Sequence, residues 1–296
     1  MVPSPFHCGF VGILGPTNTG KSTLLNAIVG SKVSIVSPLP QTTYHPIKGI
    51  CHGEGYQLIF VDTPGLQKYS HLVARLLNSS ALKQAQDCDV LLWVFDVQHP
   101  RLLAQLRRLS TTIEGLGKHS ICILNKVDLV PKPTLLPLMS EISATQLFQE
   151  IIPLSARKKD GVEKLIATLV GKVPERAPQF PQDQLSERSV RFLASEFIRE
   201  KVYQKTRGEV PYSVRVEIEE WKEGKIPHIG ALIFVDSESR KRILVGRGGT
   251  MLKEIGISAR KDIELLVEAH INLKLFVKVD RLWKEKKDLV REYLEL

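Results

Sequence analysis

The chain has 296 residues, of which 43% are hydrophobic and 25% charged, and its formal net charge is +9. This length suits about two domains, and the composition is typical of soluble globular proteins. Apolar runs fall short of the roughly 20 residues that cross a bilayer, and the N-terminus lacks a signal- or transit-peptide pattern, so a cytoplasmic location is expected. The four cysteines are widely spaced, which argues against a disulfide framework or a zinc site. The basic charge permits an acidic partner, either nucleic acid or a membrane surface.

Up to about Lys172, short β-branched runs alternate with helical stretches, which predicts a parallel sheet flanked by helices. The predicted strands are Cys8–Leu14, Tyr56–Val61, Val90–Val97, Ser120–Leu124 and Glu150–Leu154. The predicted helices are Lys21–Val29, Leu72–Gln86, Arg101–Glu114, Leu135–Gln146 and Gly161–Leu169. This α/β pattern assigns residues 1–173 to a first domain.

Three prolines between Val173 and Gln184 predict a linker over residues 174–184. The order then changes over residues 185–296 to helix, two strands, two helices and a strand, which predicts a second, α+β domain. Its predicted elements are helix Ser186–Lys205, strands Tyr212–Trp221 and Ile229–Val235, a short helix, helix Met251–Glu268, strand Asn272–Val279 and a short terminal helix.

The segment Gly15–Ser22 fits the pattern G-x-x-x-x-G-K-[ST] and lies between a predicted strand and a predicted helix. Its glycines let consecutive backbone N–H groups cradle phosphate oxygens, and the following helix contributes its positive N-terminal end. Lys21 would reach the β- and γ-phosphates, and the Ser22 hydroxyl would bind Mg²⁺. The residues predicted to contact the phosphates or the metal here are Gly15, Asn18, Gly20, Lys21, Ser22 and Thr23.

Asp62-Thr63-Pro64-Gly65 stands at the end of a predicted strand, where α/β sheets bind ligands. Asp62 would hold Mg²⁺ through water, and the Gly65 N–H would respond to the γ-phosphate. A threonine between the two motifs should complete the Mg²⁺ shell in the triphosphate state. Thr43 is favoured and Thr42 is the open alternative. Lys21, Thr43, Gly65 and Asn18 are the predicted catalytic residues.

Asn125-Lys126-Val127-Asp128 follows another predicted strand and predicts guanine selection. A carboxylate at Asp128 accepts from both the ring N–H and the amino group of guanine, whereas adenine offers neither donor there. Asn125 would tie this loop to the phosphate loop, and the stem of Lys126 would cover the base. Ser155 and Ala156, after the last strand, would add a backbone N–H to the guanine oxygen.

Leu66 occupies the place where many small GTPases carry the glutamine that orients water, so slow intrinsic hydrolysis is expected. Asn18 has two readings that the sequence leaves open. In GTPases with an apolar residue at the glutamine position, asparagine here resembles a potassium ligand, and K⁺ would stabilise transition-state charge. Asparagine also commonly closes tight turns.

Gly246-Arg247-Gly248-Gly249 forms a G-x-x-G turn between two predicted helices, the arrangement with which KH domains clamp single-stranded nucleic acid. The predicted RNA contacts are Gly246, Arg247, Gly248, Gly249 and Lys253. An apolar groove for bases would use Ile243, Val245, Leu252, Ile255 and Ile233, although a core role is favoured for most of them.

The chain resembles the Era family of ribosome-assembly GTPases nearly end to end. The resemblance rests on segments 20–26, 40–43, 62–65, 125–128, 211–214 and 255–262. It implies an α/β P-loop (Ras-like) GTPase domain followed by a type II KH domain, with GTP or GDP and Mg²⁺ as ligands. It also implies binding of 16S rRNA near its 3′ end, in the precursor of the 30S subunit, in the GTP state. A loose inner-membrane association is a further implication, and we expect a monomer.

The sequence departs from the family pattern at three places. Pro16, Thr17 and Thr19 replace the usual phosphate-loop residues, Tyr44 replaces an arginine after Gln-Thr-Thr, and Arg247-Gly248 replaces His-Lys. Asn18 and both loop glycines remain. The alternative function is a membrane- or protein-docking GTPase whose second domain binds a protein.

Overall fold

The computed structural model describes residues 5–39, 42–67 and 72–281, without the side chains of 72 and 73. The short terminal helix predicted from the sequence lies outside the described residues. The chain divides into two compact units, and each combines separate stretches of sequence. The first contains Met1–Ser34 and Thr43–Glu187, and the second contains Ile35–Thr42 and Arg188–Leu296.

The first unit is built on a sheet with the strand order β2-β3-β1-β4-β5-β6. Its strands are β1 (His7–Leu14), β2 (Ile47–Gly53), β3 (Tyr56–Asp62), β4 (Val90–Asp96), β5 (His119–Asn125) and β6 (Glu150–Pro153). Strand β2 is antiparallel to β3 and the other pairs are parallel. The predicted parallel sheet therefore carries one further, antiparallel strand at this edge, which the sequence pattern did not predict. Strand β2 escaped prediction because two of its seven residues are glycine, which is depleted in strands.

Five helices connect the strands of this sheet. They are α1 (Lys21–Val29), α2 (Leu72–Gln86), α3 (Leu102–Leu116), α4 (Leu135–Ser143) and α5 (Val162–Val170). Each lies within three residues of its predicted bounds. A core that includes Leu14, Trp93, Phe95, Leu106 and Cys122 is buried between strands and helices. The helices therefore pack against the sheet around an apolar core.

The proline-rich segment after Lys172 is fixed within the first unit. The buried side chain of Gln57 donates to Phe180 O at 2.8 Å and accepts the N–H groups of Gln179 at 2.8 Å and Phe180 at 3.0 Å. Ser186 pairs with Gly49 on β2. The last boundary between the two compact units along the chain lies between Glu187 and Arg188. The domain bounds 1–173, 174–184 and 185–296 stay a prediction.

Up to residue 281, where the description ends, the second unit combines three α-helices with a sheet of order β7-β8-β9. Its elements are α6 (Val190–Lys205), β7 (Arg215–Lys222), β8 (His228–Val235), α7 (Glu238–Val245), α8 (Thr250–Val267) and β9 (Asn272–Val279). Strand β7 is antiparallel to β8, and β9 is parallel to it. Helix α6 begins four residues later than predicted because the Ser189 hydroxyl caps it by accepting the Phe192 N–H at 3.2 Å.

The core of the second unit joins one face of the sheet to the helices. Phe197 of α6, Ile233 of β8 and Ile255 and Ile263 of α8 are all buried there. Among the described residues of both units, no helix is long and apolar enough to cross a membrane.

Candidate nucleotide and nucleic-acid sites

The four predicted nucleotide-binding loops leave the same edge of the first sheet. They follow β1, β3, β5 and β6, which run parallel, so their carboxyl ends point the same way. Ligands of α/β sheets bind at this edge. The topology therefore brings together motifs that are separated by up to about 140 residues in the sequence.

The phosphate loop is folded tightly around the Lys21 side chain. The Nζ atom donates to Pro16 O at 2.7 Å and to Gly15 O at 3.3 Å. Burial lowers the pKa of Lys21 to about 8, and the charge of Asp62 opposes this shift. Ser22 and Thr23 are half-buried in the first turn of α1. A buried ammonium of this kind gains from an anionic ligand.

Three oxygen-bearing side chains meet beside Lys21. The Ser22 hydroxyl donates to Asp62 Oδ2 at 2.6 Å and lies 3.1 Å from Thr43 Oγ1. The other carboxylate oxygen, Asp62 Oδ1, is buried and has no hydrogen-bond partner in the described part of the chain. Mg²⁺ prefers oxygen ligands of these types. The residues present therefore fit a magnesium site.

Asp62 is fully buried at this site. Burial raises the pKa of its carboxyl, while hydrogen bonds from Ser22 and Ser34 and the charge of Lys21 oppose the rise. Ser34 Oγ donates to Oδ2 at 2.9 Å and was missed by sequence reasoning, since no motif includes it. A desolvated carboxylate is stabilised in its charged form by a nearby cation.

The structure separates the two candidate threonines. Thr43 Oγ1 lies 3.1 Å from Ser22 Oγ, whereas Thr42 Oγ1 donates to Leu39 O at 2.9 Å. Thr43 is thus the threonine that joins the oxygen cluster.

Gly65 and Leu66 lie against the phosphate loop. The Leu66 N–H donates to Gly15 O at 3.0 Å, and a Cβ on Gly65 would lie 2.7 Å from Thr17 Cγ2. The Leu66 side chain is buried in the core with Leu14. The position that often carries glutamine therefore serves packing here.

The side-chain amide of Asn125 connects the two loops predicted to contact guanine, which follow β5 and β6, to the phosphate loop. Asn125 Nδ2 donates to Thr19 O at 2.8 Å, and Asn125 Oδ1 accepts the N–H of Ala156 at 3.0 Å. Ser155 is buried, and its Oγ accepts the Lys158 N–H at 3.2 Å. A single residue thereby fixes the spacing of three loops, which a rigid ligand requires.

Lys126 bridges two further points of the site. Its Nζ donates to Asn18 O at 2.9 Å and to Asp96 Oδ2 at 2.6 Å. Asp96 was missed by sequence reasoning, although its place at the carboxyl end of β4 was a usable signal. Asn18 is exposed with a left-handed φ of 63°, and the exposed Asp128 lies in the short turn Val127–Leu129.

The G-x-x-G segment of the second unit has three glycines in left-handed conformations. The φ angles are 75° at Gly246, 58° at Gly248 and 80° at Gly249, and Arg247 is exposed. A Cβ on Gly246 would lie 2.7 Å from Met251 Cβ, so this position requires glycine. Helix α8 begins directly after the turn.

A groove of about 350 Å³ opens beside this turn. Its lining comprises Gly249, Leu252, Lys253, Gly256, Ile257, Arg260, Leu273 and Leu275. Of the aliphatic residues predicted for the groove, Leu252 lines it, whereas Ile233 and Ile255 are fully buried in the core. Ile243 and Val245 lie outside the lining, on α7. The contribution of β9 was missed, although the alternating pattern of that strand places Leu273 and Leu275 on one face.

Comparison with known proteins identifies relatives of both units. Residues 10–126 match the family model of the 50S ribosome-binding GTPase, and residues 209–284 match the KH domain model. The chain is 39% identical to GTPase Era of Geotalea daltonii over 99% of each chain. It is 42% identical to GTPase Era of Syntrophus aciditrophicus, over 97% of this chain and 95% of that one.

Two solved structures are also similar. One is a variant of Aquifex aeolicus Era bound to GDP·AlF4⁻, with a TM-score of 0.92, 35% identity and coverage of 97% of this chain and 99% of that one. The other is Era in complex with MgGDPNP and nucleotides 1506–1542 of 16S ribosomal RNA. It has a TM-score of 0.92 and 36% identity, and covers 97% of this chain and 98% of that one.

Proposed function

The chain belongs to the Era family of GTPases, and from this premise we propose that it binds 16S rRNA near its 3′ end and assists assembly of the 30S subunit. Hydrolysis of GTP to GDP and phosphate is the activity of this family. The observation that carries the RNA proposal is the groove beside the G-x-x-G turn. It is open, lined by apolar side chains that suit bases, and flanked by Lys253 and Arg260.

In the proposed nucleotide site, each loop binds a different part of GTP or the metal ion. Lys21 and the backbone amides of the phosphate loop bind the β- and γ-phosphates, and Asp128 binds the guanine edge. Ser22, Thr43 and Asp62 would hold Mg²⁺, which supplies positive charge beside the phosphates when bound. The backbone of Gly65 lies against the phosphate loop and responds to the presence of the γ-phosphate. Asn125 holds the loops at fixed spacing.

Asn18 keeps two candidate roles within this proposal. Its left-handed backbone suits a turn-closing residue, and its exposed position in the phosphate loop suits a potassium ligand. Hydrolysis rates in KCl and NaCl separate the two roles. Faster turnover in KCl supports the ligand, and equal rates support the turn.

Replacing Arg247 and Gly248 with aspartate tests the RNA proposal. Arg247→Asp with Gly248→Asp places two negative charges where phosphates would approach, so we expect RNA affinity to fall at least about 100-fold. The fold should survive, because a Cβ on Gly248 meets no atom within 4 Å and aspartate tolerates left-handed φ. GTP affinity, measured by calorimetry, should be unchanged.

The chain offers a matched control for this variant. Arg207-Gly208 is the same dipeptide in the same unit, with Arg207 exposed, a φ of 63° at Gly208 and no atom within 4 Å of its Cβ position. Arg207→Asp with Gly208→Asp should leave RNA affinity within about twofold, apart from the general effect of charge. Equal RNA affinity of the two double variants would reject RNA binding at the G-x-x-G turn and favour the protein- or membrane-docking alternative. On the family resemblance and the sequence pattern alone, we also propose a monomeric state, a cytoplasmic location and a loose association with the inner membrane.

A further inference from the structure

The segment Ile35–Thr42 belongs to the second unit, although it lies in sequence between two nucleotide motifs of the first. Ile35 is 1% exposed and is part of the second unit's core, where Leu39 also packs. The residue after this segment is Thr43, whose hydroxyl lies in the oxygen cluster with Ser22. Thr42, the last residue of this segment, is therefore bonded directly to a residue of the candidate magnesium site.

Helix α6 holds both ends of this segment by hydrogen bonds to its backbone. At the first end, Glu200 Oε1 accepts the Val36 N–H at 2.8 Å, and Gln204 Nε2 donates to Val36 O at 3.2 Å. At the other end, Arg199 Nη2 donates to Thr42 O at 2.7 Å. These contacts are to main-chain atoms of Val36 and Thr42, so they do not depend on the side chains of those two residues.

Arg199 is rigidly held for this contact. It is fully buried and makes two hydrogen bonds with Glu196, from Nε to Oε1 at 2.7 Å and from Nη2 to Oε2 at 2.6 Å. The paired contact fixes the plane of the guanidinium group. A buried arginine ordered in this way is costly in desolvation, and packing alone could be supplied by an apolar side chain.

The contact with Thr42 O acts directly on the next residue. The carbonyl of Thr42 and the nitrogen and Cα of Thr43 lie in one planar peptide unit. When Arg199 fixes the carbonyl oxygen, the orientation of that plane is fixed, and the Thr43 side chain starts from a defined Cα. Rotation within Thr43 then sets the direction of its Oγ1, which lies 3.1 Å from Ser22 Oγ in the candidate magnesium site.

The same patch of α6 extends to the helix that follows the G-x-x-G turn. Lys201 donates to Glu200 Oε2 at 2.8 Å and pairs with Asp262 of α8 at 2.5 Å. Glu200 thus links the Val36 N–H, through Lys201, to α8. Helix α8 begins directly after the G-x-x-G turn.

We propose that Arg199 is a positioning residue for Mg²⁺ binding, which acts from the RNA-binding unit by fixing the peptide plane of Thr43. This proposal rests on the assignment of Thr43 as a magnesium ligand under the proposed function. A purely structural Arg199 would change stability alone. A positioning Arg199 changes the Mg²⁺ dependence of triphosphate binding.

The test removes the arginine without leaving a buried charge. In the double variant Glu196→Leu with Arg199→Met, apolar side chains of similar size replace the ion pair, an exchange that is often neutral for stability. We expect the Mg²⁺ concentration for half-maximal binding of a non-hydrolysable GTP analogue to rise about tenfold, the effect of one charge-assisted hydrogen bond. GDP affinity and the melting temperature should change little. Arg191→Met, on the exposed face of the same helix, is the matched control.

A second variant keeps the test valid if the double variant fails to fold. Arg199→Lys keeps a positive charge beside Glu196 but loses the planar guanidinium group that contacts both Glu196 and Thr42 O, and it should raise the Mg²⁺ requirement about two- to threefold. An unchanged Mg²⁺ requirement in folded variants would overturn the proposal. Thr43→Ala separates this failure from that of the proposed function. If Thr43→Ala also leaves the Mg²⁺ requirement unchanged, the magnesium assignment itself is wrong.

Discussion

Asp128→Asn is expected to lower GTP affinity by roughly 1,000-fold and to give the protein affinity for xanthosine triphosphate. A carboxylate accepts two hydrogen bonds from the guanine edge. Asparagine retains one acceptor but turns an NH2 group toward the guanine amino group, so one hydrogen bond is lost and two donors face each other. Xanthine carries a carbonyl oxygen at that place and would accept from the new amide.

Calorimetric titration with the two triphosphates measures this change. Asp183→Asn, at an exposed carboxylate on the proline-rich segment, serves as the control and should leave both affinities unchanged. Undiminished GTP affinity in Asp128→Asn would show that another residue selects the base.

Gly15→Ala is expected to abolish GTP binding and to lower the free energy of unfolding by about 3 kcal/mol or more. Gly15 has a φ of 136°, and a Cβ there would lie 2.3 Å from Val94 O. That oxygen belongs to β4, which is paired on both sides, with β1 and with β5. The backbone of β4 cannot withdraw without breaking the sheet, so the phosphate loop must move.

Gly30→Ala is the control that measures the cost of backbone strain without the steric clash. Gly30 also has a left-handed φ, 80°, but a Cβ there meets no atom within 4 Å. In this variant the free energy of unfolding should fall by about 1 kcal/mol, and GTP binding should be retained. Thermal melting and nucleotide titration of both variants measure the difference, and equal behaviour would contradict the role assigned to the Val94 contact.

The nucleotide loops could be predicted from the sequence because their chemistry fixes residue types at short spacings. Lys21, Asp62, Asn125 and Asp128 each need a particular functional group at a strand end, and local patterns of strand and helix place them there. The same locality explains why most helix bounds were predicted within a few residues.

Features that depend on distant contacts could not be predicted in this way. Thr42 donates its hydroxyl to Leu39 O whereas Thr43 Oγ1 lies beside Ser22, and no local pattern distinguishes these two threonines. The assignment of Ile35–Thr42 to the second unit depends on contacts with α6, more than 150 residues away in the sequence. The lining of the groove combines residues of α8 with residues of β9. The sequence therefore could not show which aliphatic side chains line the groove and which lie in the core.

The most direct test of this account is the affinity for RNA in each nucleotide state. A labelled RNA with the sequence of the 3′ end of 16S rRNA would be titrated with the protein in the presence of Mg²⁺ and a non-hydrolysable GTP analogue, GDP, or no nucleotide. We predict binding at least about tenfold tighter with the GTP analogue than with GDP, within the usual range of coupling between two sites. Equal affinity in all three states would contradict the expectation that the protein binds 16S rRNA in the GTP state.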